Sequence, residues 1–541
     1  MKARIMERDF ATQAKSVVDD ILKDDPITAT WAGVHRYDAD MPDVSEEGFS
    51  HRQTAAKKHA ADLRRWEPEQ LPPQERIDWH MLCSRFEVQV RETDELEPHK
   101  HDPSLYPNIA MSGVYSLLAR DYAPLADRLP ALESRLKQVP DVFAAARRNL
   151  ERSPKIWTDI ALEETAGAAA FLHDTVGAVS DEHPRLRSAL DAALAACEEY
   201  RSFLSEEHAH RNGMPFAIGR ELFDFKLRRE HLLDMDCAAL LAFGEQAMAQ
   251  TQAQLIETAE RIEPGRSWAQ LVETFSRELP PEDSLMEHYR RGVADTRQFV
   301  VDRGLVSIPK GESLQVVETP TFMRPTIPYA AYMPAGAFDA RQEGLYYVTP
   351  VNQDLPLAER REQMLGHNRF GMLLTNVHEG YPGHHLQLVL SNGVESPVRK
   401  VLSNTVFCEG WALYCEQLML DEGLTDDARV RLFQLKDQMW RACRVVIDVK
   451  LSTGAMTFEQ AVDMLVNEAH LERPNAVGEV RRYTQSPTQP MSYLVGKHQI
   501  MQLREREKSR LNHAFDLRSF HDRLLSYGTI PVALIEPTFW R

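Results

Sequence analysis

The side chains best suited to chemistry sit in one short stretch, Asn376-Val-His-Glu-Gly-Tyr-Pro-Gly-His-His-Leu-Gln387. Its core is His378-Glu379, followed by His384 and His385. In the zinc-hydrolase signature H-E-x-x-H, two histidines stand four apart on one helical face and the Glu acts as a base. Here the fourth position after His378 is Pro382, which cannot bind a metal. On a straight helix His384 would lie about 240° round from His378, and His385 about 10 Å further along the axis. Neither could share an ion whose Zn–N bonds are about 2 Å long. A straight helix therefore fails. Pro382 lacks an N–H and its ring clashes with the carbonyl four residues back, that of His378. Gly380 and Gly383 permit unusual backbone angles. Together they predict a kink or bulge that returns a second histidine, His384 or His385, to the metal. The bland alternative is a helix–loop–helix turn with solvated histidines.

A third ligand is required, and Cys408-Glu-Gly-Trp-Ala-Leu-Tyr-Cys-Glu416 reads as a helix that supplies one. Glu409 and Glu416 are seven apart, on one face with Leu413. A carboxylate from a second helix completes a His₂Glu catalytic zinc site. Glu409 is the expected ligand, and Glu416 is expected to orient a histidine from behind. Three further elements are candidates for a hydrolytic site. Tyr493 opens a helix, and its phenol O–H can donate to an oxyanion. Arg481 and Arg482 flank Tyr483, and Arg482 is the candidate clamp for a substrate carboxylate. Tyr346 and Tyr347 lie on what reads as an edge strand, open to an extended substrate by strand addition. His385 is a candidate substrate contact if it does not bind the metal.

Most of the chain has helical rhythm. In residues 8–24, Phe10, Ala14, Val17, Val18, Ile21 and Leu22 share one face,. The Asp24-Asp25-Pro26 sequence ends that helix, because proline restricts the residue before it. Similar patterns cover residues 52–66, 75–93, 125–150, 157–178, 183–207, 234–262 and 284–303. Between 305 and 350, Val, Ile, Tyr and Thr alternate with Pro and Gly. The segments 314–320, 324–332 and 344–350 predict short strands of one small sheet. Helices resume over 355–391, 404–421, 426–453, 457–470 and 491–511. The expected architecture is mainly α: a helical part over 1–304, then a small sheet and a catalytic helical part over 305–541. The two parts are expected to share one body with a central cleft.

The sequence resembles the bacterial family designated domain of unknown function 885, whose members are suspected metallopeptidases. His378-Glu-Gly-Tyr-Pro-Gly-His384 fits that family's H-E-x-x-P-G-H. Further blocks that fit are Asp25–Gly33, Glu409-Gly-Trp-Ala-Leu-Tyr414, Glu479-Val-Arg-Arg-Tyr483, Gln489–Gly496 and Phe520–Gly528. The resemblance spans most of the chain. It implies a helical zinc-peptidase fold similar to neurolysin and thimet oligopeptidase. It also favours His384 over His385 as the ligand, because the family motif ends at the first of the pair. It carries no substrate.

The 541 residues hold 63 Lys and Arg against 81 Asp and Glu, a net charge of −18. That balance argues against nucleic acid or an anionic membrane surface as the main partner. The N-terminus turns polar before an apolar signal-peptide core develops, and no run reaches membrane-span length. Six scattered cysteines with no CxxC point to reduced thiols in the cytoplasm,. The paired histidines His99/His101 and His208/His210 read as solvated. No G-x-G-x-x-G, P-loop or G-x-S-x-G occurs, and the lone Ser134-x-x-Lys137 match means little.

The resulting expectation is a cytoplasmic zinc-dependent hydrolase of peptide or amide bonds in short peptides or small substrates, with Mn or Co tolerated in place of Zn. His378, His384 and Glu409 hold the metal, Glu379 is the base and Tyr493 steadies the oxyanion. One rival is an amidase specialised for a single small metabolite. Another is a non-catalytic binding protein with a degenerate metal site, against which the intact Glu379 counts.

Overall fold

The computed structural model describes residues 9–320, 323–324, 327, 329–353 and 355–540. The chain forms two compact units. The first comprises residues 1–216, 336–340 and 395–402; the second comprises 217–335, 341–394 and 403–541. Both are built mainly from helices.

In the first unit the opening helix Phe10–Asp24 buries Phe10, Ala14, Val17, Val18 and Leu22, the face set by their spacing,. It stops where Asp25 becomes the cap of the next helix, Pro26–Ala32. The Asp25 carboxylate accepts from the Thr28 N–H at 3.0 Å and from the Thr28 hydroxyl at 2.6 Å. Pro26 stands at the first helical position, where no N–H is needed,. Long helices Pro73–Leu96 and Leu125–Asn149 follow. Two histidines read as solvated are in fact interior. His208 is fully buried with Nε2 2.8 Å from Ser153 Oγ, and burial pushes its pKa down to about 4. His99 is buried and stacks on Phe49. Their polar sequence neighbours face solvent while the rings turn inward, which periodicity alone misses.

The second unit contains the sheet and the motif helices. Among the described residues the sheet has three strands: β1 Ser313–Glu318, β2 Ala330–Met333 and β3 Glu343–Val348. Their order is β1-β3-β2, with β1 parallel and β2 antiparallel to β3. Of the expected strand over 324–332, residues 325, 326 and 328 lie outside the described residues, and the strand starts at Ala330. The expected helix over 355–391 is not continuous. It divides into Leu357–Leu365, Arg369–Thr375, a single π-helical turn at Asn376–Gly380, and His384–Asn392.

An apolar cluster joins three elements of this unit. Val406 and Leu413 come from the helix Thr405–Asp421, and Ala442, Val445 and Val449 from Ala428–Ser452. Met491, Leu494 and Val495 bring in the helix Ser492–Leu511, with Tyr493 packed at its edge. Each buried Val, Leu or Met side chain here contributes about 1.5–3 kcal/mol. Where the first and third of these helices cross, glycine meets glycine. A Cβ on Gly410 would lie 2.4 Å from the Gly496 backbone, and one on Gly496 would lie 1.8 Å from the Val406 carbonyl oxygen. Side-chain-free backbones alone allow this approach.

Gly496→Ala is therefore expected to lower stability by about 2 kcal/mol or more, since the added methyl meets main chain that cannot swing aside. Gly478→Ala is the opposite case. Gly478 lies exposed inside the helix Arg473–Gln485 with open space around its Cβ position, so alanine is expected to add about 0.5–1 kcal/mol. Urea-unfolding midpoints check both, and equal midpoints would refute the crossing argument.

Candidate metal centre

The backbone break at the motif decides which histidine faces His378. The helix Arg369–Thr375 is capped by Asn368, whose side chain accepts from the Gly371 N–H at 2.9 Å. The π turn that follows carries His378 and Glu379, and such turns widen the helix where function needs a side chain re-aimed,. Tyr381 is extended, the Tyr381–Pro382 bond is cis, and Gly383 folds back so that its N–H donates to the Val377 carbonyl at 3.0 Å. A Cβ on Gly383 would sit 1.9 Å from the His378 carbonyl oxygen. The Trp411 indole N–H pins the loop from the neighbouring helix by donating to the Pro382 carbonyl at 2.8 Å. This is the bulge expected from Pro382 and the glycines.

Among the described residues, His378, His384 and Glu409 present ligand atoms all within 4.8 Å of one another. Glu409 Oε2 lies 3.2 Å from His384 Nε2 and 3.8 Å from His378 Nε2. The two imidazoles meet edge to face at 4.7 Å. Behind them, His378 Nδ1 is 2.8 Å from Glu416 Oε1. A carboxylate can only accept, so this bond holds a proton on Nδ1 and makes Nε2 the nitrogen that faces Glu409,. Glu416 thus stands where a supporting carboxylate was expected. His384 Nδ1 has a different partner, Cys408 Sγ at 3.5 Å. The role of Cys408 was not read from the sequence, although its place directly before Glu409 is the signal that could have found it.

Electrostatics in the cluster run in one direction. Burial disfavours charge on His378, but Glu409 and Glu416 outweigh it and hold its pKa above the usual value. His384 is raised further, against burial, by Cys408 and Glu409. Burial likewise opposes the charged form of Glu409, and the two histidines overcome it, holding the carboxylate far below its ordinary range. Yet Glu409 Oε2 is buried and forms no hydrogen bond among the described residues. Two imidazole nitrogens and this oxygen are the donor set of a catalytic zinc with an open fourth position. The residues fit such an ion.

Several expected participants are placed differently. His385 is fully buried and turned to the sheet, with Nε2 2.7 Å from Glu312 Oε2 and Nδ1 3.1 Å from the Tyr332 hydroxyl. Both ring nitrogens are occupied, so it is neither a ligand nor a substrate contact. Glu312 also accepts from Tyr381 and Arg297, and these partners, His385 first, overcome burial to bring its pKa down to about 2. Tyr346 is not on an edge. Its strand β3 is central, with partners on both sides, so no ladder groups remain for strand addition. Its hydroxyl is buried, has no hydrogen-bond partner among the described residues, and feels the charge of Glu379. Arg482 is already engaged, donating to Glu479 at 2.9 Å and Gln489 at 2.8 Å. Tyr493 does lie at the centre, its ring 6.3 Å from that of His378. Glu379 is partly exposed while the rest of its turn is buried.

Glu479 ties the motif helices together. It takes Arg444 at 2.8 Å, Arg482 at 2.9 Å and the Tyr483 hydroxyl at 2.6 Å. Burial raises its pKa, but Arg444 and Arg482 dominate and bring it down to about 2. A depressed carboxylate stabilises the fold above its unfolded pKa of about 4.5, and that contribution fades as pH falls toward 2,. Glu479→Gln is thus expected to be clearly less stable than wild type at pH 5, with the gap narrowing by about 1 kcal/mol by pH 3.5. Chemical denaturation at the two pH values measures this, and a constant gap would contradict it.

Two solved structures overlay the whole chain. One is a candidate lipoprotein of unknown function from Shewanella oneidensis, 26% identical, with a TM-score of 0.82 and coverage of 98% of this chain and 100% of that one. The other is a candidate lipoprotein from Colwellia psychrerythraea, 18% identical, with a TM-score of 0.82 and coverage of 98% and 99%. A candidate oligoendopeptidase F from Bacillus anthracis overlays at a TM-score of only 0.32 and 12% identity, over 89% of this chain and 91% of that one. That is too loose to establish the expected neurolysin-like fold, and the architecture stands as mainly helical with a small sheet. No curated protein matches the sequence. Among the described residues no helix is long and apolar enough to cross a membrane. The family model for a bacterial protein of unknown function (DUF885) matches residues 26–538. The chain belongs to the DUF885 family.

Proposed function

We propose that this protein is a metal-dependent hydrolase of peptide or amide bonds, with His378, His384 and Glu409 as the ligands. The observation that carries the reading is the buried Glu409 Oε2, without a hydrogen bond among the described residues and facing Nε2 of both histidines. A divalent ion such as zinc, when bound, polarises a carbonyl and makes water a nucleophile near neutral pH. Glu379, adjacent to His378 and partly exposed, takes the proton of the attacking water and delivers it to the leaving nitrogen,. Tyr493 and Tyr346 are the hydroxyls available to a developing oxyanion. Tyr493 lies against His378, and Tyr346 holds a buried O–H that has no partner among the described residues and feels the charge of Glu379. Glu416 keeps His378 in the tautomer that ligates,. The three ligands are at most 17% exposed in their side chains, which suits short peptides or small amides better than folded proteins.

Elemental analysis of zinc-loaded protein tests this. About one zinc per chain is expected in wild type and in His385→Ala, and none in His378→Ala, His384→Ala or Glu409→Ala. Glu379→Gln should keep the metal and lose hydrolysis of short peptides by about a hundredfold or more. Metal retention in all four ligand-region variants, or full activity in Glu379→Gln, overturns the reading. Metal without hydrolysis, and ligand binding indifferent to Glu379→Gln, would instead favour a binding protein.

The cytoplasm remains our proposed location, on the strength of six free cysteines,. Cell fractionation should leave the protein in the soluble fraction. Recovery with membranes and release by detergent would replace this with a lipid anchor, as the descriptions of the two relatives suggest.

A further inference from the structure

Arginine side chains gather around Tyr493. Arg444 is buried; its Nε donates to the Tyr483 hydroxyl at 2.7 Å and its Nη2 to Glu479 at 2.8 Å. Its Nη1 is buried with no hydrogen-bond partner among the described residues. The guanidinium lies 4.2 Å over the Trp440 ring and 4.6 Å over the Tyr493 ring. Arg441, three residues earlier on the same helix, lies 4.3 Å over Trp440 and 5.7 Å over Tyr493. Its Nε is likewise buried and without a partner. Arg482 adds a third positive charge near Tyr493.

The local charge is not balanced. Glu479 answers both Arg444 and Arg482, and Asp437 stands 3.9 Å from Arg441 while also facing Lys436 at 3.5 Å. With Glu409, whose charge also reaches Tyr493, four cations meet three carboxylates. A buried guanidinium N–H left without an acceptor is costly, and the acceptor that a planar cationic fork suits best is a carboxylate. Tyr493 links this pocket to the metal ligands, touching Arg444 with its ring and standing 6.3 Å from His378. The Arg444 guanidinium thus lies within about 11 Å of the His378 ring, which at about 3.3–3.6 Å per extended residue leaves room for about three residues of peptide or fewer,. Trp440, Arg441 and Tyr493 are each only partly buried, so the pocket is open to a ligand at its rim.

Building on the hydrolase reading above, we propose that Arg444 and Arg441 bind the terminal carboxylate of a short peptide, so that the protein acts from the carboxyl end and releases one or two residues. Water adds to the scissile carbonyl carbon and the C–N bond breaks. The proton from water goes to the leaving nitrogen, and the products are a shortened acid and a free amino acid or dipeptide. Arg482, read from sequence as the clamp, instead helps to hold Glu479 and so positions Arg444.

The test uses full-length, zinc-loaded Glu379→Gln protein, immobilised and offered randomised N-acetyl tetrapeptides as free acids and as carboxamides. Mass spectrometry reads what is retained. Free acids are expected to be retained at least about tenfold better, as a charge-assisted hydrogen bond warrants. Arg441→Gln and Arg444→Lys should each bring the ratio to near one, with helical circular dichroism unchanged. If Arg444→Lys does not fold, Arg441→Gln at the rim carries the test. Equal retention of acid and amide, or retention of neither, overturns the arginine site. Wild-type protein is then given the same free acids and carboxamides. Cleavage of the free acids with the matching carboxamides left intact supports the proposal, and equal cleavage of acids and carboxamides overturns it. An intact acid preference with no cleavage at all overturns the carboxyl-end activity through failure of the hydrolase reading, while leaving the anion pocket standing.

Discussion

Backbone contact between Gly410 and Gly496 sets the geometry on which the centre depends. A metal site needs ligands from separate elements held to a fraction of an ångström. Glu409 is the residue before Gly410, and Tyr493 is one helical turn before Gly496. A crossing that brings the two main chains together therefore fixes the spacing of the Glu409 carboxylate and the Tyr493 phenol at once. Larger residues at either glycine would separate the helices and move both groups. The neighbouring apolar cluster, from Val406 to Val495, keeps the crossing from sliding. Trp411, next in sequence to Gly410, extends the same rigid element to the loop that carries the two histidines.

Around this crossing the polar groups are arranged so that each candidate ligand has a backer. Glu416 supports His378, Cys408 lies behind His384, and the histidines together hold Glu409. His385, one residue from a ligand, is drawn the other way by Glu312, Tyr332 and Tyr381. That division of neighbouring imidazoles follows from the restart of the helix at His384. Consecutive residues on a helix point about 100° apart, so only one of the pair can face His378. The Arg444–Glu479–Tyr483 network meets the same region through Tyr493, over whose ring the Arg444 guanidinium lies.

Much of this was legible in the residues. The periodic helices formed near their expected limits, with Phe10–Asp24, Leu285–Arg303 and Ser492–Leu511 as clear cases. The first and third strands lie close to the expected segments, while the second overlaps its expected segment only over residues 330–332. The H-E-x-x-P-G-H spacing required a break, and the π turn and Gly383 loop provide it. These features are local: they depend on side-chain period, on proline's missing N–H and on steric limits within a few residues.

Local rules could not say which strand is central, and Tyr346 proved interior to the sheet because order depends on pairing between distant segments. Nor could they assign His208 and His99 to the interior, or give Glu312 to His385 and leave an N–H of Arg444 unclaimed. The sequence by itself determined the helical elements, the donor types and the need for a bend between the two histidines. Only the tertiary structure decided which donors converge, because convergence depends on how closely two helix backbones pack and on which buried charges find partners across 25 to 73 residues of chain.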